Sequence, residues 1–106
     1  RAGVTYLSKT VAVEWAEHNI QVNCVAPGAC ETEGFGNYPP EAAATFPQAN
    51  PMMHTGEAQD IAEACAYLAA PSGKFITGEV LTVDGGGQLW GELWTYNKPD
   101  YFKRGA

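Results

Sequence analysis

No run of basic residues occurs anywhere in this chain of 106 residues, and acidic residues outnumber basic ones 12 to 6, a formal net charge of −6. Nucleic acids and anionic membrane surfaces are held by clustered Lys and Arg, so neither is an expected partner. No apolar stretch approaches the ~18–20 residues that cross a bilayer, and no segment has the pattern of a signal peptide; a cytoplasmic location is expected. Cysteine is scarce and odd in number. Cys24, Cys30 and Cys65 lie among apolar or small neighbours without CxxC spacing, and neither His18 nor His54 suggests a metal-site interval. Three buried free thiols are expected rather than a zinc site. The two histidines have no evident Ser or Cys partner either, which leaves a hydrolase triad unsupported. The chain also opens without Met and without a strand ahead of its first helix, so we expect the fold to begin elsewhere.

What is present suffices for a core. With 45% hydrophobic residues, 4 Phe, 5 Tyr and 3 Trp, the chain reads as at most one small domain and not as a disordered segment. At 100° per residue, Val4, Leu7, Val11 and Trp15 form one stripe of an opening helix. Ala2, Tyr6 and Val13 lie opposite and are uncharged too, where a surface helix should be polar. Such a helix packs on its own domain with one face and on something else with the other. Asn19 in "HNI" suits a left-handed residue just past the helix end.

In "IQVNCVAPG", Ile20, Val22, Cys24 and Ala26 alternate with Gln21, Asn23 and Val25, and Pro27-Gly28 ends a buried strand. Residues 29–56 are irregular and hold most of the prolines; a short helix is expected over "PPEAAATF", with Pro40 in its first turn. A crossover this long is more often a functional lid than a bare connection. Thr55 is the expected cap of the next helix, which turns Ile61, Cys65 and Leu68 to one face and stops at "PSG". "FITGEVLTVDGGG" gives a turn at Thr77-Gly78 and a strand through Val80, Leu81 and Val83. Helix, strand, crossover helix and strand, in that order, make the second half of a parallel α/β sheet. The tail, 89–106, carries Trp90, Trp94, Tyr96, Tyr101 and Phe102, a density suited to docking on protein.

Tyr6 and Lys9, at i and i+3, invite a catalytic reading, but an interface Tyr beside a solvated Lys is the simpler one. "DGGG" at 84–87 lacks the later Gly and the helix of a phosphate loop, and reads as a tight exit turn. The end of the first strand is different. In open parallel sheets ligands bind just beyond the carboxyl ends of the strands, and "NCVAPGACET" places a Pro-Gly turn, backbone groups and the Thr32 hydroxyl there. On the residues alone, this is either an ordinary strand exit or a ligand site.

"NIQVNCVAPGACETEG" together with "FITGEVLTVDGGG" resembles the short-chain dehydrogenase/reductase superfamily over residues 1–88. "RAGVTYLSKTVAVEWAEHNIQVNCVAPG" looks most like its peroxisomal trans-2-enoyl-CoA reductase, 2,4-dienoyl-CoA reductase and citronellol-type dehydrogenase branch. The resemblance implies an α/β fold, the C-terminal half of a Rossmann-like doubly wound parallel sheet: its last two strands, flanking helices and a lid at about 29–56. It also implies NAD or NADP as cofactor and hydride transfer at the nicotinamide C4. Pro27, Gly28 and the backbone at Ala29 and Cys30 would hold the carboxamide, and Thr32 the carboxamide or pyrophosphate. Asn23 would be structural. Phe35, Tyr38, Met52 and Met53 would cover a small hydrophobic substrate, with plain packing the alternative for each. Arg1 falls where the family's Tyr-x-x-x-Lys pattern has its Lys; the Tyr, the Ser and the glycine-rich loop would lie outside this sequence, upstream of it.

Three functions follow for weighing. The first is the C-terminal half of an NAD(P)-dependent oxidoreductase acting on an enoyl or an alcohol/carbonyl substrate. It would need an N-terminal half supplied as another chain, a cleaved piece or a region missing here, and would form a homo-oligomer through the first helix and last strand. The second is a non-catalytic interaction module derived from that fold. The third, a self-contained small binding protein, requires a half-sheet to fold alone.

Overall fold

The computed structural model describes residues 2–31, 33–44 and 46–90, and the side chains of all of these except residues 34, 35 and 42. The expected aromatic tail therefore lies outside the described residues from position 91 onward.

The opening helix, α1 (Ala2–Trp15), continues into a 3-10 turn at Ala16–His18. Asn19 then takes a left-handed conformation, φ 60°. Its N–H donates to the Ala16 carbonyl at 3.0 Å and the Ile20 N–H to the Trp15 carbonyl at 3.3 Å. These two bonds satisfy carbonyls that the helix end would otherwise leave open, as the sequence predicts for an Asn at this point. The expected packing of α1 is corrected. Only Ala12 is buried, while Val4, Tyr6, Leu7 and Val13 are each more than 60% exposed. Neither apolar stripe finds cover among the described residues, because a two-stranded sheet is too narrow to cover a helix of four turns. Lys9 is exposed, as expected, and its Nζ also donates to the Gly78 carbonyl at 2.9 Å.

Two strands form the sheet. β1 (Cys24–Pro27) pairs in parallel with the later strand Val80–Val83, in the register Cys24 to Val80 through Pro27 to Val83. The sequence places the start of β1 earlier, at Ile20. There the backbone bond from Gly78 N–H to the Val22 carbonyl, 2.8 Å, is joined by side-chain bonds. Val22 N–H donates to Thr77 Oγ1 at 3.1 Å, Gln21 Nε2 donates to the carbonyls of Gly73 and Ile76, and Asn23 binds Ile76 and Glu79 with its two amide atoms. Asn23 is structural, as expected. The alternation also fails: Val25 is half-buried like Cys24 and Ala26, and Ile20 is exposed.

After β1 comes a short strand, β2 (Cys30–Glu31), then a 3-10 turn (Glu33–Asn37), α2 (Pro40–Ala43) and a second 3-10 turn (Phe46–Ala49). The helix at Pro40 is the one expected. β3 (Gly56–Glu57) returns and pairs in parallel with β2, Cys30 to Gly56 and Glu31 to Glu57. The crossover thus leaves and returns at one point, its base closed by this pair.

α3 (Ala58–Ala69) follows at once and packs over β1 and the last strand, β4 (Val80–Val83). Its cap is Glu57 and not Thr55: pairing holds residues 56–57 extended, and Glu57 N–H donates to Asp60 Oδ2 at 2.8 Å. The inward stripe is Ile61, Ala64 and Leu68, with Cys65 exposed. None of the three thiols is fully buried, and all three are free. The helix stops at Ala69 before the Pro71–Gly73 turn, where a Cβ on Gly73 would stand 2.5 Å from the Leu68 carbonyl oxygen.

Candidate functional site

The carboxyl ends of β1 and β4 lie side by side, so both strands deliver their exits to one place. Gly28 N–H donates to the Val83 carbonyl at 3.0 Å and extends the pairing past Pro27. A Cβ on Gly28 would stand 2.7 Å from the Asp84 Cβ and 2.8 Å from its Cα. The missing side chain of Gly28 is therefore spent on the approach of the β4 exit. Ala29 comes next and its carbonyl accepts from Gly56 N–H at 2.9 Å, tying the exit to the lid base.

Asp84 organises the turn after β4. Its Oδ1 accepts from Gly86 N–H at 2.8 Å and its Oδ2 from Gln88 N–H at 2.9 Å. Gly85 and Gly86 have φ of 64° and 86°, a region closed to most side chains, so "DGGG" is the tight exit turn expected.

A cleft of about 280 Å³ opens between this turn, β2, β3 and the start of α3. Ala29, Cys30, Met52 and Val83 give it an apolar lining, with Asp60, Glu63 and Asp84 as its carboxylates. Of the residues the sequence nominates, the structure brings Ala29, Cys30 and Met52 together here. Pro27 is exposed beside the cleft, and Gly28 is half-buried under Asp84. Met53 and Tyr38 stand off the cleft, both about half exposed, with Tyr38 edge-on to Phe46 at 5.1 Å between ring centroids. Arg1, Thr32 and the side chain of Phe35 lie outside the described residues.

The lining decides which part of a nicotinamide dinucleotide would fit. No Lys or Arg lines the cleft among the described residues, while three carboxylates do, so the cleft repels a pyrophosphate. Peptide groups and apolar side chains suit a neutral amide-bearing ring, and the volume lies at the small end for a ligand site. Of residues 27–30, Ala29 and Cys30 line the cleft. Sequence reasoning missed Asn50, Asp84 and Gly85; the "NP" pair at 50–51 and the "DGG" at 84–86 were the turn signals that mark them. Tyr6, the other eye-catching residue, is 71% exposed on α1, remote from the cleft lining. No described residues cluster as a metal site, and no helix among them is long and apolar enough to cross a membrane.

Comparison with known proteins agrees with this architecture. The family model described as enoyl-(acyl carrier protein) reductase matches residues 1–88. The chain is 43% identical over 94 residues to 3beta-hydroxysteroid dehydrogenase 1 of Eggerthella lenta, covering 85% of this chain and 35% of that protein. It is 39% identical over 102 residues to a peroxisomal 2,4-dienoyl-CoA reductase of Saccharomyces cerevisiae, covering 91% of this chain and 32% of that one. Among solved structures it is similar to 4-hydroxyisoleucine dehydrogenase complexed with NADH, with a TM-score of 0.72 and 28% identity over 83% of this chain and 37% of the other. The chain thus spans about a third of the length of the relatives it matches. Its α/β architecture with a parallel strand pair is that of part of their Rossmann-type domain.

Proposed function

We propose, since the chain belongs to the short-chain dehydrogenase/reductase superfamily, that it forms the C-terminal part of an NAD(P)-dependent oxidoreductase acting on a small hydrophobic enoyl or alcohol/carbonyl substrate. The observation that carries this reading is the joint exit of β1 and β4 beside a partly apolar cleft at the lid base, which no Lys or Arg lines among the described residues. The relatives' names include a hydroxysteroid dehydrogenase and a 2,4-dienoyl-CoA reductase, which would suit an apolar substrate, beside a galactitol 2-dehydrogenase, which names a polyol.

When bound, the nicotinamide supplies or accepts hydride at its C4. This chain's own work is holding and covering. The peptide groups from Pro27 to Cys30 would hold the carboxamide and set which face of the ring meets the substrate, and the Thr32 hydroxyl would bind the carboxamide or pyrophosphate. The lid, about 29–56, would exclude water, with Phe35, Tyr38, Met52 and Met53 against the substrate. Arg1 would place a fixed positive charge near the ribose. Its guanidinium does not release a proton as an ammonium can, which favours reduction of an activated C=C or oxidation of a hydrophobic alcohol over a Lys-type relay. The Ser, the Tyr and the phosphate loop would come from an N-terminal portion.

A second reading, a non-catalytic interaction module, is favoured by one observation, the uncovered apolar residues of α1. Calorimetric titration with NADH and NADPH separates the two. We expect binding once the N-terminal portion is joined to this chain, and about tenfold weaker binding in Thr32→Val, the loss of one hydrogen bond in a desolvated site. Unchanged affinity in Thr32→Val removes that residue from the site; no binding at all leaves the interaction module.

A further inference from the structure

We infer that Asn50 is a positioning residue that clasps the returning limb of the lid onto the turn after β4, and so sets where Met52 stands against the cleft. The identity of the ligand rests on the oxidoreductase reading; the clasp does not.

Asn50 is 4% exposed, the one buried polar residue among those described. Its Nδ2 donates to the His54 carbonyl at 2.9 Å, and its own carbonyl accepts from Met53 N–H at 3.0 Å. Both ends of residues 50–54 are thus tied to one side chain and its peptide. The turn is tight enough to hold Met53 at φ 61°, a left-handed conformation that a residue with a Cβ rarely adopts. Asn50 Oδ1 is buried and has no hydrogen-bond donor among the described residues. The amide cannot turn over to find one, since that would set its oxygen against the His54 carbonyl.

The oxygen lies over Gly85, where a Cβ would stand 2.6 Å from it. The neighbours repeat this fit. Met52 N–H donates to the Gly85 carbonyl at 3.3 Å, Pro51 lies 3.2 Å from the Cβ position of Gly86, and the Ala49 carbonyl 3.2 Å from that of Gly87. Three successive glycines therefore accept residues 49–52, and both Met52 and Gly85 line the cleft. Anchored here and at the β2–β3 pair, the returning limb of the lid holds Met52 at the cleft.

The ε-methyl groups of Met52 and Met53, assigned by Met52→Leu and Met53→Leu, report on this turn by 13C NMR. The probe is NADH added to the full-length protein. In wild type we expect slow amide exchange at Met52 and Met53 and a shift of one methyl signal on adding NADH. Asn50→Ala, Asn50→Asp (similar in size, without the Nδ2 donor) and Gly85→Ala attack the clasp from two sides. Each should speed exchange at both amides by about a hundredfold or more and abolish the methyl response of the NADH-saturated, folded protein. A merely structural role lowers the melting temperature but leaves the methyl response of the folded protein intact. Exchange at Met52 and Met53 already fast in wild type, or slow and NADH-responsive in the variants, overturns the clasp. Slow exchange with no binding of NADH by wild type keeps the clasp and overturns the nicotinamide reading.

Discussion

The strand-exit region and the opening helix α1 are built in opposite ways. At the exits, Gly28 packs against Asp84 and Gly85 against Asn50, both pairs within this chain. On α1 only Ala12 is buried; its apolar stripes stay open, and its side-chain link to the sheet region is Lys9 on the Gly78 carbonyl. Hydrophobic burial is non-directional and scales with area. A helix can therefore leave its apolar face for a surface supplied by an N-terminal portion or a second copy. A turn of glycines cannot wait in that way, since its conformation exists only when its neighbours are in place.

Three substitutions would break or sharpen that contrast. Gly28→Val should have the largest effect. It pushes a branched side chain into Asp84 and should cost at least about 2 kcal/mol of stability, read by denaturant titration, with loss of NADH binding. Stability within about 0.5 kcal/mol of wild type would show that the two exits are not tightly packed. Leu7→Lys comes next. It should leave the stability of the isolated chain nearly unchanged, since Leu7 is 63% exposed, yet weaken assembly with the N-terminal portion or a second copy at least about tenfold by analytical ultracentrifugation. Equal assembly would mean that this stripe faces water. Lys9→Met should have the smallest effect, about 1 kcal/mol by thermal unfolding, because one exposed charge-assisted bond is lost while the aliphatic stem is kept.

The same contrast explains what the sequence could reveal. Asn19, the Pro40 helix, the β1 and β4 strands and the "DGGG" turn are local events, each carried by residue types whose backbone preferences act over a few positions. The β2–β3 pair is two residues long on each side, joins positions 26 apart and has no periodicity to read. Missing it misplaces the α3 cap at Thr55 and hides the closure of the lid base. Positions 61, 65 and 68 fit a helical stripe and so do 61, 64 and 68; packing on the sheet selects the latter and leaves Cys65 exposed. Of the site, Ala29, Cys30 and Met52 were legible from the Pro-Gly exit and the lid that follows it. Asn50 was not, since a buried amide acts through tertiary neighbours that no local pattern names.

The central claim is that the peptide groups at 27–30 receive the carboxamide end of a nicotinamide dinucleotide. Backbone amide NMR of the full-length protein tests it most directly, with NADH compared against ADP-ribose, which lacks the nicotinamide. The account predicts that the amide signals of Gly28, Ala29 and Cys30 move with NADH and stay in place with saturating ADP-ribose. Equal movement with both ligands, or none with NADH at saturation, would contradict it.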